Sequence, residues 1–204
     1  MDSATKQKYQ AKAKDSFKTK LNLYLFSKAL EQNWDSLSLA DFRNFKITPS
    51  LVNTYTTKYW QYKAYFKIKG ELTNDFIYKE IAHNEIARID FINEIRLDYI
   101  NNHFREIFPE AEFDNLLHQA ECAYCHITIR EIELLADNKQ LHKKNYRGWS
   151  LEIDRLDSNL EYTKDNCVMA CYWCNNAKTD EFTFDEFVQV GAEIRKIWDN
   201  RLKK

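Results

Sequence analysis

Four of the five cysteines fall in two pairs, Cys122-Ala-Tyr-Cys125 and Cys171-Tyr-Trp-Cys174. Each C-x-x-C pair presents two thiolates on one tight turn, and two such turns complete a tetrahedral zinc site. In an intracellular chain this pattern reads as metal ligation rather than disulfide bonding. Four sulfurs close the coordination sphere, so this zinc holds the fold together and activates no water. Cys167 is left over and reads as a core residue on a strand. His126 follows Cys125 directly, but with four thiols available it reads as a bystander.

Between the pairs, Ser150 to Arg155 and Asn166 to Ala170 alternate as strands do, joined by a polar loop with Asp157, Ser158, Asn159 and Lys164. The second cysteine pair then opens a helix through Asn175 and Lys178. Knuckle, hairpin and helix in this order form a treble-clef finger, in which Asp154 and Asn175 can face one another. A carboxylate and an amide oxygen, completed by waters and a phosphate oxygen, suit magnesium or manganese. A metal there polarises a phosphate and stabilises the departing oxygen. Arg155 can clamp a phosphate oxygen through its planar fork, and Lys178 can neutralise further charge. The plainer alternative is a strand-end salt bridge between Asp154 and Arg155, with Asn175 capping its helix. The residues alone leave the two readings level.

The elements ahead of this segment read as helices. Three glycines and two prolines in 204 residues argue for long helices rather than many tight turns. Residues 6–32 carry an apolar side of Phe17, Leu21, Tyr24 and Ala29. Ser38 can cap a short helix bearing Leu39, Phe42 and Phe45. Thr48-Pro49 is a good helix start for a segment in which Val52, Tyr55, Tyr59, Tyr62 and Phe66 recur at helical spacing, with Gly70 as its stop. Residues 38–66 therefore form a candidate helix-turn-helix, offering Ser50, Asn53, Thr54, Thr57 and Lys58 to a DNA groove. An antiparallel helix pair with no DNA role has the same layout. Residues 72–108 show helical isoleucines that suggest a well-buried helix, broken in two, and Pro109 ends it. The fold class expected is α+β: a helical region over 1–118, serving DNA recognition, dimerisation or partner docking, and a zinc-bound ββα module over 119–204.

Charge is arranged in blocks despite a net charge of -1. Residues 1–70 carry 13 basic against 5 acidic side chains, and residues 71–121 carry 4 against 12. One face meeting a polyanion accounts for this, as does simple packing of basic beside acidic helices. The first residues lack the apolar centre of a secretory signal, and no apolar run reaches the ~18 to 20 residues of a membrane span. A soluble, cytoplasmic protein without membrane contact is expected.

The segment EIDRLDSNLEYTKDNCVMACYWCNNAKTD resembles the core of the HNH, or ββα-metal (His-Me finger), endonucleases, and within them most nearly a restriction-enzyme branch. The features that carry the likeness are the pair Asp154-Arg155, then Asp157, Tyr162 and Asn166, and the Cys-x-x-Cys-Asn-x-x-Lys run ending at Lys178. LHKKNYRGWS upstream, the CAYC knuckle and the closing stretch EFTFDEFVQVGAEIRKIW extend it. In that last stretch Thr183 and Glu186 fit a capping box. The helical front is not covered. The resemblance implies metal-dependent hydrolysis of DNA phosphodiesters, in restriction or phage defence, by a homodimer or a subunit of a defence complex. It implies zinc at Cys122, Cys125, Cys171 and Cys174, magnesium or manganese at Asp154 and Asn175, and phosphate contacts from Arg155 and Lys178.

One departure matters. Most of the family has Asp-His on the first strand, and the histidine activates water. Arg155 stands there instead, and an arginine does not give up its proton at neutral pH. Relatives that share the arginine recruit a tyrosine and a histidine from before the first knuckle, where this chain has Phe113 and Asp114. Tyr99, His103, His118 and His142 are the available substitutes, with His103 and His142 carried as site candidates. Alternative functions are a catalytically silent zinc-finger DNA-binding module and a partner-binding subunit. A zinc deaminase, suggested by His83-Asn84-Glu85 ahead of CAYC, lacks the proline before its cysteines and leaves the second pair unused.

Overall fold

Short polar side chains set most helix starts in the computed structural model, which describes residues 1–60, 67–68, 70, 72–142 and 147–204. The described elements are many helices and one two-stranded sheet, an α+β arrangement. They divide into two compact units, 2–107 with 159–161, and 108–158 with 162–204 and Met1.

In the helical unit, α1 (Ser3–Glu31) starts from Asp2, whose carboxylate accepts from the Thr5 amide, and stops at Gln32 in the left-handed region. Ser38 caps α2 (Leu39–Asn44), and Thr48 caps α3 (Pro49–Asn53), both as their sequences predict. α3 then widens into a π-helical segment, Thr54–Trp60. The expected continuation to Phe66 lies outside the described residues. Thr73 caps α4 (Asn74–Ala87), and α5 (Ile89–Asp98) follows a break at Arg88. A second π-helical segment (Tyr99–His103) and α6 (Phe104–Ile107) end the unit.

Its core is aromatic. Phe17 packs edge-on to Phe42 at 5.8 Å and lies 5.6 Å from Tyr99, while Tyr9 meets Phe104 at 5.0 Å. Beneath them runs a buried polar line. Ser16 Oγ lies 2.9 Å from Tyr99 Oη, which donates to Glu161 at 2.5 Å, and Lys20 Nζ stands 4.0 Å from the same carboxylate. The break in the 72–108 helix agrees with the sequence reading, but uniform burial of its isoleucines does not hold. Ile77 and Ile95 are fully buried, whereas Ile86 and Ile89 are 79% and 53% exposed. α4 and α5 each bury one face, and the far face of a surface helix stays in water whatever its side chains.

The second unit comprises α7 (Glu110–Leu117), the first cysteine turn, α8 (Ile129–Asp137), strands β1 (Glu152–Arg155) and β2 (Cys167–Ala170), α9 (Tyr172–Lys178) and α10 (Phe184–Leu202). α7 thus falls with the cysteines, not with the helices before Pro109. β1 and β2 pair antiparallel with Asp154 opposite Val168 and Arg155 opposite Cys167. Asn166 closes the connecting loop from both ends, its Oδ1 accepting from the Asp157 amide and its Nδ2 donating to the Asp157 carbonyl. α8 and α10 both begin with full capping boxes, Thr128 with Glu131 and Thr183 with Glu186.

α10 runs against the first knuckle. Phe187 meets the Tyr124 ring edge-on at 5.1 Å, and Arg195 grips Glu131 with two hydrogen bonds of 2.9 and 2.7 Å. Gly191 permits the approach, because a Cβ there would lie 2.4 Å from the Tyr124 carbonyl oxygen. Gly191→Ala is expected to lower the melting temperature. Overpacking typically costs about 1–3 kcal/mol, against a helix-propensity gain of about 1 kcal/mol. An unchanged or raised melting temperature would show that α10 does not need this contact. Among the described residues no helix is long and apolar enough to cross a membrane.

Candidate active site and metal centre

The four paired cysteines converge. Sγ atoms of Cys122, Cys125, Cys171 and Cys174 all lie within 4.8 Å of one another and all four residues are buried. Local geometry accounts for it. The first turn is closed by Cys122 N–H to Ile127 O at 3.0 Å and His126 N–H to Cys122 O at 2.9 Å, with His126 in the left-handed region. Ala123 N–H donates to Met169 O at 2.8 Å, tying that turn to β2. Cys171 follows β2 directly and caps α9, its sulfur accepting from the Cys174 amide.

The donor set fits zinc. Four sulfurs about 2.3 Å from a tetrahedral ion stand about 3.8 Å apart, and Cys125 and Cys171 are 3.7 Å apart. The electrostatics agree. Hydrogen bonds from Cys125, Cys171 and Cys174 pull the Cys122 thiol well below its ordinary range, while proximity to Cys122 pushes Cys171 and Cys174 up. Without a cation the cluster shares protons among its sulfurs, and with one all four become thiolates. His126 is exposed and pairs with Glu121, and Cys167 is buried on β2. His83 is exposed on α4 in the helical unit, and Cys171 and Cys174, which a deaminase reading leaves unused, complete the cluster with Cys122 and Cys125.

β1 and α9 carry the remaining candidates. Strand alternation puts Glu152 and Asp154 on one face of β1. Asp154 is 8% exposed, and its Oδ2 accepts from Tyr124 Oη at 2.6 Å and lies 3.7 Å from Lys178 Nζ. Both partners take the same oxygen, which leaves Oδ1 to a further ligand. Burial, with the Asp154 hydrogen bond, pushes the Tyr124 hydroxyl far above its ordinary range, so it stays a donor. Asn175 does not pair with Asp154. Its Nδ2 donates to Glu152 at 2.8 Å, which leaves the amide oxygen as its open acceptor. Glu152 also receives two hydrogen bonds from Arg147 Nη2, at 2.9 and 2.8 Å.

Lys178 is 1% exposed and donates to the Arg155 carbonyl at 2.9 Å. It joins α9 to β1 from inside. The Arg155 guanidinium lies over the Tyr162 ring at 4.7 Å. His103 and Tyr99 belong to the helical unit. Burial, then the charge of Lys20 at 3.4 Å, lowers the His103 pKa and keeps its ring neutral. His118 and His142 are exposed in the second unit. Two participants escape a reading of the sequence alone, Tyr124 and Glu152. The i, i+2 spacing of Glu152 and Asp154 was the available signal for the second; Tyr124 sits inside the knuckle motif, where only the fold reveals its reach.

No protein-family model matches the sequence, and no curated protein matches it. Among solved structures, that of the rare-cutting HNH restriction endonuclease PacI is similar, with 31% identity and a TM-score of 0.38. The likeness covers 46% of this chain and 66% of that one, a little under two thirds of its length. Over somewhat less than half its length, then, the chain is similar to an HNH restriction endonuclease.

Proposed function

We propose that the chain is a metal-dependent DNA endonuclease with an HNH-type site on a treble-clef finger, held by zinc at the four cysteines and acting in restriction or another antiviral defence. The observation that carries the reading is the meeting of β1 and α9 beside the sulfur cluster. It joins the Asn175 amide to Glu152 at 2.8 Å and Lys178 to Asp154 at 3.7 Å, and strand alternation puts the two carboxylates on one face of β1. Asp154 Oδ1 and the Asn175 oxygen would hold magnesium or manganese, with Glu152 orienting the amide. Such an ion, when bound, supplies Lewis acidity to a phosphate. Tyr124 and Lys178 hold Asp154 in place, and Arg155, braced on Tyr162, offers its fork to a phosphate oxygen. The base remains among Tyr99, His103, His118 and His142. DNA is the partner in this reading. Cleavage of both strands calls for a homodimer or a larger complex, with residues 38–66 as a candidate reader of the groove. A cytoplasmic setting suits that work.

The silent-binder alternative draws on one observation, that Lys178 neutralises Asp154 from within. Incubating plasmid and single-stranded DNA with magnesium or manganese separates the two, beside Asp154→Ala shown to retain its zinc. Wild-type cutting is expected, with a loss in the variant beyond the roughly 10- to 100-fold that removal of a group behind a metal ligand costs. DNA binding by both proteins with cutting by neither would favour the silent module.

A further inference from the structure

A cavity of about 700 Å³ opens in the helical unit between α1, the first π-helical segment and α4. Its lining includes none of the four cysteines and not Asp154, although Tyr55, Tyr59 and Trp60 fall within residues 38–66, the candidate reader of the groove. Its walls are aromatic: Tyr55, Tyr59, Trp60 and Tyr78. Tyr55 and Tyr59 are stacked at 5.5 Å, and Trp60 stands perpendicular to Tyr55 at 6.0 Å. Trp60 and Tyr78 are 56% and 65% exposed, a large aromatic surface left facing solvent.

The backbone is shaped for this display. A π-helical turn is an uncommon form that recurs at functional sites, and here one segment carries three of the four rings. Asn74, 2% exposed, fixes its end, because both amide hydrogens go to backbone carbonyls, those of Lys58 and Tyr59. That leaves Asn74 Oδ1 buried with no partner among the described residues, an uncompensated negative dipole on a residue that lines the cavity.

The charged lining is mixed, and Glu85 is the carboxylate left in it: Asp75 is already paired with Lys79 at 2.7 Å, and Lys18 is an exposed ammonium from α1. Burial pushes the Tyr59 hydroxyl up to about 12, with Tyr55, Tyr78 and Glu85 adding to the shift. Ring faces attract cations, a carboxylate pairs with their N–H groups, and a phosphate would be repelled by both. From the four rings, Glu85 and the unpartnered Asn74 oxygen, we propose that this cavity binds a small organic ammonium ion, a protonated alkylamine or polyamine whose chain lies against the tyrosines.

Calorimetric titration of the intact chain with butylammonium and with spermidine tests it, alongside adenosine monophosphate as an anionic aromatic control. Saturable amine binding is expected, weakened about tenfold or more by Glu85→Gln and by Trp60→Ala, with circular dichroism of both variants unchanged. Amine binding indifferent to both substitutions would place the ions on the acidic surface and overturn the proposal. So would tighter binding of adenosine monophosphate, or no amine binding at millimolar concentration. None of these outcomes depends on whether the chain cuts DNA.

Discussion

Stripping the metal from the four cysteines is expected to unfold the knuckle, the hairpin and α9 together. Structural zinc contributes about 10–16 kcal/mol in isolated finger peptides at neutral pH, as much as the ~5–15 kcal/mol that an average domain has in total. The apolar alternative here is small. The sheet has two strands of four residues, and α9 has seven. An isolated hairpin or a helix that short is marginal in water. The four sulfurs are also a mutually repelling cluster once the cation leaves, so the apo form must take up protons. Chelation at neutral pH should therefore release one zinc per chain, with loss of the tryptophan signal from Trp173 and Trp198, whose rings are 4.8 Å apart. Cys171→Ser should do the same without a chelator, since Cys171 both ligates and caps α9. A full melting transition retained after complete zinc removal would sink this account of the fold.

Lys178→Ala is the second large effect, expected in stability before activity. The side chain is 1% exposed, and its ammonium holds the Arg155 carbonyl at 2.9 Å and the Asp154 carboxylate at 3.7 Å. Removing one partner of a buried ion pair leaves the other uncompensated and costs about 3–5 kcal/mol. The variant should melt well below wild type. A lysine that only touched phosphate would behave differently, leaving the melting temperature alone and weakening DNA binding evenly across sequences. Thermal denaturation, set beside DNA binding, distinguishes the two.

The parts of the molecule legible in the sequence are those governed by local rules. Two C-x-x-C pairs specify a four-sulfur cluster through spacing alone, and Ser38, Thr48 and the Thr183–Glu186 box mark helix starts because each side chain bonds an amide three residues on. The α+β composition follows from the same signals. Side-chain direction was harder. Lys178 has the composition of a surface cation, yet the short α9 lies so close to β1 that its ammonium points inward. The Asn175 amide nitrogen bonds Glu152, a partner that spacing within α9 does not reveal. Ile86 and Ile89 look like core residues until the break at Arg88 rotates two helices with different buried faces. Each depends on how two elements meet, which spacing within one element does not determine.

Residues 159–161 lie in the loop between β1 and β2 yet belong to the helical unit, where Glu161 accepts from Tyr99 and faces Lys20. The two units are thus distinct as packed bodies without being consecutive along the chain. A fragment ending at Ile107 would lack the only carboxylate described beside both Lys20 and Tyr99. A fragment beginning at Phe108 would carry that carboxylate with neither partner. Subcloning at the apparent boundary would accordingly produce two damaged halves, each missing a piece that the other encodes, and co-expression of the halves would be a better route than either alone.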